Sequence, residues 1–354
     1  MPRLDLTESS IDLTRTICDI PSVSDEETPL ADAIHDAIGA LPHLSVFRDG
    51  DTIVARTELG RPHRVVIAGH IDTVPINGNL PTTLVGGELW GRGTVDMKAG
   101  VAVQLKLAAD LEAPRYDVTW MWYDHEEVDA QRNGLTRLAR TRPDLFAGDF
   151  AILGEPSNGE VEGGCNGNLR VMVRAHGRRS HSARSWVGEN AIHKAAPILA
   201  RLAVYEARTV TVDSLDYREG LNAVRMRGGI AGNVIPDLAE IEVNYRFAPS
   251  TSGAQAEQHV RDVFDGFEVE LLDLAEGARP GLDAAFAQEF VASVGGVAKP
   301  KYGWTDVARF SAMGVPAVNY GPGDPMLAHH DDERVPVAQI EAVERGLRTW
   351  LTGA

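Results

Sequence analysis

The sequence predicts an α/β fold in which a first domain, with a central mixed and largely parallel sheet, is interrupted by a ferredoxin-like α+β domain. Up to residue 156, short apolar strands alternate with helices, which is typical of a largely parallel sheet. Between residues 168 and 273 the order becomes strand, helix, strand, strand, helix, strand, which is the ferredoxin-like order. We therefore expect a first domain of residues 1–167 and 281–354 and an inserted domain of residues 168–280.

The elements of the first domain follow from the spacing of apolar residues and from turn residues. The pattern predicts helix over residues 7–40, with Thr7 or Ser9 as the N-cap and a break at Pro21-Ser22-Val23-Ser24. Further helices are predicted around residues 97–111, 131–140 and 337–352, and strands at 52–57, 64–69, 118–123, 149–153 and 316–320.

The inserted domain is predicted from the same signals. We expect strands at residues 168–176, 223–231, 239–247 and 266–273, and helices at 189–204 and 253–264. The segment Gly277-Ala278-Arg279-Pro280-Gly281 has the composition of a linker, so we expect the chain to return there to the first domain.

The composition is that of a globular protein with an acidic surface. The 354 residues include 34 basic and 51 acidic ones, which gives a net charge of −17. Because such a surface repels phosphate groups, nucleic acid and anionic membranes are excluded as partners. For the same reason, an anionic substrate would need a local arginine or lysine. No run approaches the ~18 apolar residues of a membrane span.

The cysteines and the first residues indicate the compartment. Cys18 and Cys165 lie outside any metal-binding or redox spacing, which predicts buried thiols rather than a disulfide framework. The start of the chain lacks the basic and apolar regions of a secretory signal. Both observations favour a reducing cytoplasm.

Two adjacent carboxylates follow the apolar strand at 118–123. The strand ends in Asp124-His125-Glu126-Glu127, at the edge of a low-dielectric interior. Burying both charges there is unfavourable unless a cation pairs with them. Neighbours on an extended backbone point to opposite sides, so one of Glu126 and Glu127 could hold a metal while the other faces a substrate.

Other imidazole and carboxylate groups follow neighbouring strands. His70 and Asp72 come after the strand at 64–69, and Glu155 follows the one at 149–153. Because parallel strands bring their carboxyl ends to one edge of the sheet, we expect these groups to meet Glu126 and Glu127 there. Asp72 is close enough in sequence to orient His70, although a surface histidine beside a turn aspartate is the alternative.

Three further candidates are ambiguous when judged singly. Asp96 lies between a glycine-rich loop and a helix, where an N-cap role is equally compatible. The full GxGxxG pattern is absent around Gly91, so a nucleotide loop is rejected. His329 stands in an acidic cluster that could be an exposed helix cap, and His181 stands in a basic loop that could also be exposed.

The ligand types narrow the choice of metal. Two histidines and three carboxylates without a thiolate suit Zn²⁺, Co²⁺ or Mn²⁺. The three charges of Asp96, Glu127 and Glu155 are too many for one Zn²⁺ and suit two ions bridged by one carboxylate. A remaining free carboxylate can then transfer protons between water and a leaving amine, which predicts an amide hydrolase. A non-catalytic protein stabilised by metal is the alternative from a different class.

Several short stretches of the sequence, taken together, form a pattern that is specific enough to indicate a family. They are His70-Ile71-Asp72-Thr73-Val74-Pro75, Gly91-Arg92-Gly93-Thr94-Val95-Asp96-Met97-Lys98-Ala99-Gly100, Glu126-Glu127, Gly154-Glu155-Pro156 and His329-x-x-Asp332-Glu333. Over nearly the whole chain, the sequence resembles the dinuclear-zinc aminoacylase/carboxypeptidase-like family. The resemblance implies a zinc-peptidase-like catalytic domain and an inserted lid and dimerisation domain.

The resemblance also implies roles for the residues of the first domain. His70 and Glu155 would bind one zinc ion, Glu127 and His329 the other, and Asp96 would bridge the two ions. Asp72 would orient His70, and Glu126 would be the general base.

Further roles implied by the resemblance concern the substrate. The inserted domain would form a homodimer, and His181 would reach the partner's site to stabilise the oxyanion. Asn233, Arg246 and Thr305 match substrate-binding positions of the family. Within the family, the stretches 179–186, 301–305 and 332–336 favour a desuccinylase, with Arg184 and Arg178 as candidates to bind the succinyl carboxylate. A deacetylase, an aminoacylase and a dipeptidase are the alternatives.

Overall fold

The computed structural model describes residues 3–353, and these form two compact units. The first unit contains the residues up to Gly163, Pro280–Lys299, and the chain from Thr305 onward. The second unit contains Gly164–Arg279 and the short segment Pro300–Trp304. The predicted insertion, residues 168–280, does not include that short segment.

Most helices of the described residues lie close to predicted positions. The helices are α1 (Ser10–Cys18), α2 (Thr28–Gly39), α3 (Lys98–Asp110), α4 (Gly134–Thr141), α5 (Ala191–Ala203), α6 (Gly253–Val263), α7 (Ala285–Ser293), α8 (Val307–Ala312) and α9 (Val337–Thr352). Ser9 is the N-cap of α1, where its side chain accepts a hydrogen bond from the backbone N–H of Asp12. The predicted break after α1 is present, and there Val23 forms a parallel β-bridge with Thr73.

The strands include several that the sequence did not predict. They are β1 (Ser45–Asp49), β2 (Thr52–Arg56), β3 (Arg64–His70), β4 (Thr83–Val85), β5 (Glu88–Trp90), β6 (Asp117–Tyr123), β7 (Phe150–Leu153), β8 (Val161–Gly163), β9 (Gly167–His176), β10 (Ser180–His181), β11 (Thr209–Val212), β12 (Leu215–Arg218), β13 (Gly220–Gly228), β14 (Val234–Ile235), β15 (Leu238–Phe247), β16 (Glu268–Ala275), β17 (Ala298–Pro300), β18 (Ala317–Asn319) and β19 (Arg334–Pro336).

The main sheet of the first unit has the order β1-β2-β6-β3-β7-β18-β8-β17. The pairs β6–β3, β3–β7 and β7–β18 are parallel, whereas β1–β2, β2–β6 and β18–β8 are antiparallel. The prediction of a mixed, largely parallel sheet is therefore confirmed. Because the four central strands run in one direction, their carboxyl ends share one edge.

The central strands are apolar on both faces because helices cover them. Every residue of β6 is buried, including Trp120 and Trp122. Helix α3 is buried over most of its surface, since it packs against α1, α9 and β3. A helix that is apolar nearly all round belongs in a core, and here it directly follows the loop that carries Asp96. None of the described helices has the length and apolar content required to cross a bilayer.

The second unit is an antiparallel sheet of order β13-β15-β9-β16 with α5 and α6 packed against it. Residues of β9 alternate between buried and partly exposed, with Leu169, Val171 and Val173 in the core. This strand order is the ferredoxin-like one, as the sequence predicts. The hairpin of β11 and β12 is an addition to it.

Candidate metal centre

The strands β3, β6 and β7 bring their last residues to one edge of the main sheet. In the parallel register, His70 at the end of β3 pairs with Tyr123 at the end of β6. On the other side of β3, Ala68 pairs with Leu153, the last residue of β7. The segments that follow these strands carry Asp72, Glu126, Glu127 and Glu155, so the register gathers the predicted acidic groups at this edge.

A compact group of three possible metal ligands lies at this edge. One side-chain donor atom from each of His70, Asp96 and Glu127 lies within 4.8 Å of the others. The Nε2 atom of His70 is 3.0 Å from an Asp96 carboxylate oxygen. Imidazole nitrogen and carboxylate oxygen are donors that divalent zinc, cobalt and manganese accept, so this donor set fits such an ion.

His329 brings a second imidazole to the same carboxylates. Its Nε2 atom is 3.0 Å from Glu127 Oε1 and 3.3 Å from Asp96 Oδ2. Asp96 therefore stands between His70 and His329, the position that a bridging carboxylate would occupy. His329 is exposed and lies in an irregular loop. Its backbone has the left-handed conformation, with a φ of 65°.

Asp72 forms hydrogen bonds with His70 and with the backbone of both Glu126 and Glu127. The Nδ1 atom of His70 is 3.0 Å from the backbone carbonyl of Asp72 and 3.5 Å from its carboxylate. The Asp72 carboxylate also accepts hydrogen bonds from the backbone N–H groups of Glu126 and Glu127, at 3.0 Å and 3.1 Å. One buried side chain thus fixes the orientation of His70 and the backbone that carries both glutamates.

The carboxylates around the two histidines raise the pKa values of both imidazoles. Burial lowers the pKa of His70, but hydrogen bonds to Asp72 and Asp96 outweigh it and raise that pKa well above its usual value. Hydrogen bonds to Asp96 and Glu127 raise the pKa of His329 to about 10. In this concentration of negative charge a metal cation can replace the imidazole protons, which is the behaviour expected of a metal centre.

Glu126 lies half-buried beside these groups. Its pKa is raised well above the usual value, first by burial and then by the nearby negative charges of Asp306, Glu155 and Glu127, although His70 opposes the shift. Glu155 is itself buried and acts electrostatically on Glu126. A carboxylate with a raised pKa is more basic than usual, which suits a group that accepts a proton and later returns it.

The remaining predicted residues are divided between the units. Thr305 is buried in the first unit, where its hydroxyl donates a hydrogen bond to Asn319 at 2.9 Å. Five lie in the second unit: Arg178, His181, Arg184, Asn233 and Arg246. His181 is exposed in β10, and its Nδ1 atom accepts a hydrogen bond from the backbone of Ala183 at 3.0 Å. Burial lowers the pKa of Arg246, which lies in β15.

Sequence reasoning missed residues that support the site. The hydroxyl of Ser24 donates a hydrogen bond to Asp72 at 2.7 Å. Ser24 reaches Asp72 because Ser22 and Ser24 each share a backbone hydrogen bond with Thr73, and Val23 forms a β-bridge with the same residue. Arg92 and Glu333 form a buried ion pair near Asp96. In the sequence, only the position of Arg92 and Glu333 inside the quoted motifs indicated a role for them. Their charge did not, because charged residues in loops are most often exposed.

Comparison with known proteins agrees with this arrangement. The model of peptidase family M20/M25/M40 matches residues 66–352. A Mycobacterium tuberculosis protein assigned as succinyl-diaminopimelate desuccinylase DapE is 53% identical over 353 residues, which cover 99% of this chain and 100% of that protein. A succinyl-diaminopimelate desuccinylase of Corynebacterium glutamicum is 47% identical over 362 residues, covering 99% of this chain and 98% of that enzyme.

Solved structures share the fold at low sequence identity. A tripeptidase from Staphylococcus aureus superposes with a TM-score of 0.78 at 20% identity, and the match covers 98% of both chains. The Bacillus subtilis protein YXEP, described as a dinuclear metal-binding peptidase of the M20 family, has a TM-score of 0.71 at 18% identity, covering 97% of this chain and 96% of that one. Since the family model spans most of the chain and relatives match over their full length, the chain belongs to peptidase family M20/M25/M40.

Proposed function

We propose that the chain hydrolyses the amide bond of N-succinyl-LL-2,6-diaminopimelate and releases succinate and LL-2,6-diaminopimelate. The observation that carries this proposal is the grouping of His70, Asp96, Glu127 and His329, with half-buried Glu126 beside them. The choice of acyl group is supported by the two relatives above, which share about half of their residues with this chain over its whole length.

We propose that the centre holds two Zn²⁺ ions, with Co²⁺ or Mn²⁺ as possible substitutes. His70 and Glu155 would hold one ion, Glu127 and His329 the other, and Asp96 would bridge them. The 3.0 Å and 3.3 Å distances from Asp96 to the two histidines support the bridging role. When bound, the ions supply Lewis acidity that polarises the amide carbonyl and makes a water molecule more acidic.

Glu126 would perform the proton transfers. Its carboxylate accepts a proton from the attacking water and then donates it to the leaving nitrogen as the amide C–N bond breaks. The raised pKa suits both steps, because a more basic carboxylate takes the proton readily and still returns it to an amine. Asp72 keeps this residue in place through the hydrogen bond to its backbone N–H.

The second unit would complete the site as a lid in a homodimer. We propose that His181 of the partner subunit stabilises the oxyanion, and that Asn233, Arg246 and Thr305 bind the substrate. Exposed apolar residues at the edge strand β13, Val224 and Met226, support a subunit contact there. Light scattering on the purified protein should give a mass of two chains.

The succinyl carboxylate requires a positive charge, and Arg184 suits this role better than Arg178. Arg178 already donates to the backbone carbonyl of Val187 at 2.9 Å and lies 3.5 Å from Glu189. Arg184 is exposed and makes no ion pair with any described residue. Arg184→Ala should therefore raise KM for the succinyl substrate more than Arg178→Ala does.

A panel of substrates tests the assignment on the metal-loaded protein. We expect kcat/KM to be highest for N-succinyl-LL-2,6-diaminopimelate, compared with N-acetylornithine, other N-acetyl amino acids and dipeptides. Faster turnover of an N-acetyl substrate or a dipeptide would reassign the chain to a deacetylase, an aminoacylase or a dipeptidase. We propose the cytoplasm as its compartment, because the two cysteines, Cys18 and Cys165, are buried and form no disulfide framework.

A further inference from the structure

A buried ion pair lies beside the candidate metal centre without contributing a predicted ligand. Arg92 precedes Asp96 in the loop before α3, and Glu333 follows His329 in the loop before β19. Their side chains are only 3% and 1% exposed, and Arg92 Nη1 lies 2.9 Å from Glu333 Oε2. The pair thus connects two loops that each carry a predicted metal ligand.

Glu333 also fixes the backbone that carries Asp96. Its other carboxylate oxygen, Oε1, accepts hydrogen bonds from the backbone N–H groups of Val95 at 2.8 Å and Asp96 at 3.1 Å. The backbone carbonyl of Glu333 accepts a third hydrogen bond, from the N–H of Gly91 at 3.0 Å. The position of the Asp96 carboxylate therefore depends on a side chain from the other end of the sequence.

Arg92 adds hydrogen bonds to the loop before β19 and to the loop after β3. Its Nη1 atom donates to the backbone carbonyl of His330 at 3.1 Å, next to His329. Its Nε atom donates to the backbone carbonyl of Pro75 at 3.2 Å, in the loop that follows His70 and Asp72. The loops bearing His70, Asp96 and His329 therefore all hydrogen-bond to this one pair.

Stability alone does not account for such a pair. The desolvation of two buried charges largely offsets their attraction, so an apolar pair of similar volume is often at least as stable. The hydrogen bonds from Glu333 to backbone N–H groups have a geometric effect that an apolar pair cannot reproduce. Metal affinity depends on such supporting contacts, whose loss weakens binding by about 10- to 100-fold.

We infer that Arg92 and Glu333 are positioning residues that set the separation of Asp96, His70 and His329 before any metal binds. They act through the backbone of the ligand-bearing loops and touch neither metal nor substrate. The inference rests on the proposed metal centre and adds to it the cause of its preorganisation.

The test uses metal affinity and hydrogen exchange on the full chain. Three variants are compared: Arg92→Lys, Glu333→Gln, and the double change Arg92→Met with Glu333→Leu. We measure the Kd for Zn²⁺ by competition with a coloured chelator, the amide exchange of Val95 and Asp96 in metal-free protein, and the Tm. We expect a Kd raised about 10- to 100-fold and faster exchange at both amides in each variant that folds.

The double variant separates positioning from stability. If the pair matters only for stability, the apolar replacement restores both the Tm and the wild-type Kd, which would overturn the inference. If the pair positions ligands, the Tm recovers while the Kd and the amide exchange do not. Arg92→Lys retains the buried charge, so it provides a folded variant should Glu333→Gln fail to fold. A wild-type protein that binds no Zn²⁺ would instead refute the proposed metal centre.

Asp117 provides a matched control at the opposite end of β6. Its carboxylate accepts hydrogen bonds from the backbone N–H groups of Leu59 at 2.8 Å and Arg61 at 2.9 Å, and lies 3.7 Å from Arg64. Asp117→Asn should lower the Tm but leave the Kd for Zn²⁺ and the exchange at Asp96 unchanged. An equal loss of zinc affinity in this variant would show that the effect is a general loss of stability.

Discussion

Glu126 is the single side chain on which turnover should depend most. Glu126→Gln keeps the shape of the side chain and the backbone hydrogen bond to Asp72, but it cannot accept the proton of water. We expect kcat to fall by about 10²- to 10⁴-fold, the usual contribution of general acid–base catalysis. Metal analysis of the same variant should give the wild-type content, because Glu126 is not a predicted ligand. Turnover close to that of the wild type would refute the base assignment.

Glu27 should make stability depend on pH. Burial raises the pKa of this carboxyl to about 7, from 4.5, and the negative charges of Asp72 and Asp124 add to the shift while His125 opposes it. Because the folded state holds the proton more tightly than the unfolded state, this contribution is full below pH 4.5 and is lost as the pH rises to about 7.

Denaturant unfolding of metal-free protein measures this effect. Between about pH 4.5 and pH 8, the free energy of unfolding of the wild type should fall relative to that of Glu27→Gln, by on the order of 2 kcal/mol. Glu26→Gln, at the exposed neighbouring position, is the matched control and should follow the wild type. Parallel pH curves for the wild type and Glu27→Gln would contradict the prediction.

At the residue scale, the sequence could predict the site residues that are charged or carry an imidazole and lie at the ends of buried strands. Glu126 and Glu127 come shortly after a fully buried strand, and His70 ends another, so their proximity follows from strand direction. Glu333 could not be found this way. Its importance comes from hydrogen bonds to Val95 and Asp96, and no sequence pattern reports which backbone N–H groups a distant carboxylate will meet.

The contact between α3 and the end of β7 depends on glycine. A Cβ atom on Gly100, within α3, would lie 2.2 Å from the backbone carbonyl oxygen of Gly154, the residue before Glu155. A backbone atom cannot move aside as a flexible side chain can. Gly100→Ala should therefore destabilise the protein by about 1 to 3 kcal/mol, the usual cost of overpacking, and should also weaken metal binding through Glu155.

Gly39→Ala is the control for that change. Gly39 is the last residue of α2, and no atom lies within 4 Å of the Cβ that alanine would add. Its unfolding free energy should be unchanged or higher by about 0.5 to 1 kcal/mol, because alanine favours helix and restricts the unfolded chain. If both variants unfold at the wild-type denaturant concentration, the close contact at Gly154 is not as tight as described.

At the scale of elements, the sequence predicted those that have a buried face. The strands β6 and β7 are buried throughout, and their apolar runs were visible. The strands β4, β11 and β12 were missed because they are short and mostly exposed, so they show no run or alternation of apolar residues. Such strands are stabilised by backbone hydrogen bonds, and these do not require particular side chains that a sequence pattern could reveal.

For the molecule as a whole, removal of metal should lower both activity and stability. Without cations, the carboxylates of Asp96, Glu127 and Glu155 stand close together with Glu126. Binding to the folded state alone stabilises by about 4 kcal/mol when the free metal exceeds Kd by a factor of about 1,000. Chelator-treated protein should thus be inactive and unfold several degrees lower, as followed by circular dichroism.

Re-addition of metal completes this experiment. Zn²⁺ or Co²⁺ should restore the Tm and amide hydrolysis together, whereas Mg²⁺, which prefers oxygen ligands alone, should restore neither. Turnover that persists in chelator, with no metal found by elemental analysis, would refute the metal-dependent mechanism.

The class of the fold was also predictable at this scale, since the change from alternating strands and helices to the ferredoxin-like order marks the second unit. The segment Pro300–Trp304 was not predictable as part of that unit. It belongs there through contacts such as the hydrogen bond from the Trp304 indole to the carbonyl of Glu276, at 3.0 Å. Such contacts depend on the path of the chain in space.

The discontinuity of the first unit has a consequence for biosynthesis. The strand β18, between β7 and β8 in the main sheet, is translated only after all of Gly164–Arg279. During synthesis on the ribosome, the second unit is therefore complete before the sheet of the first unit can close. His329 emerges later still, so a nascent chain that stops short of it lacks one of the proposed metal ligands.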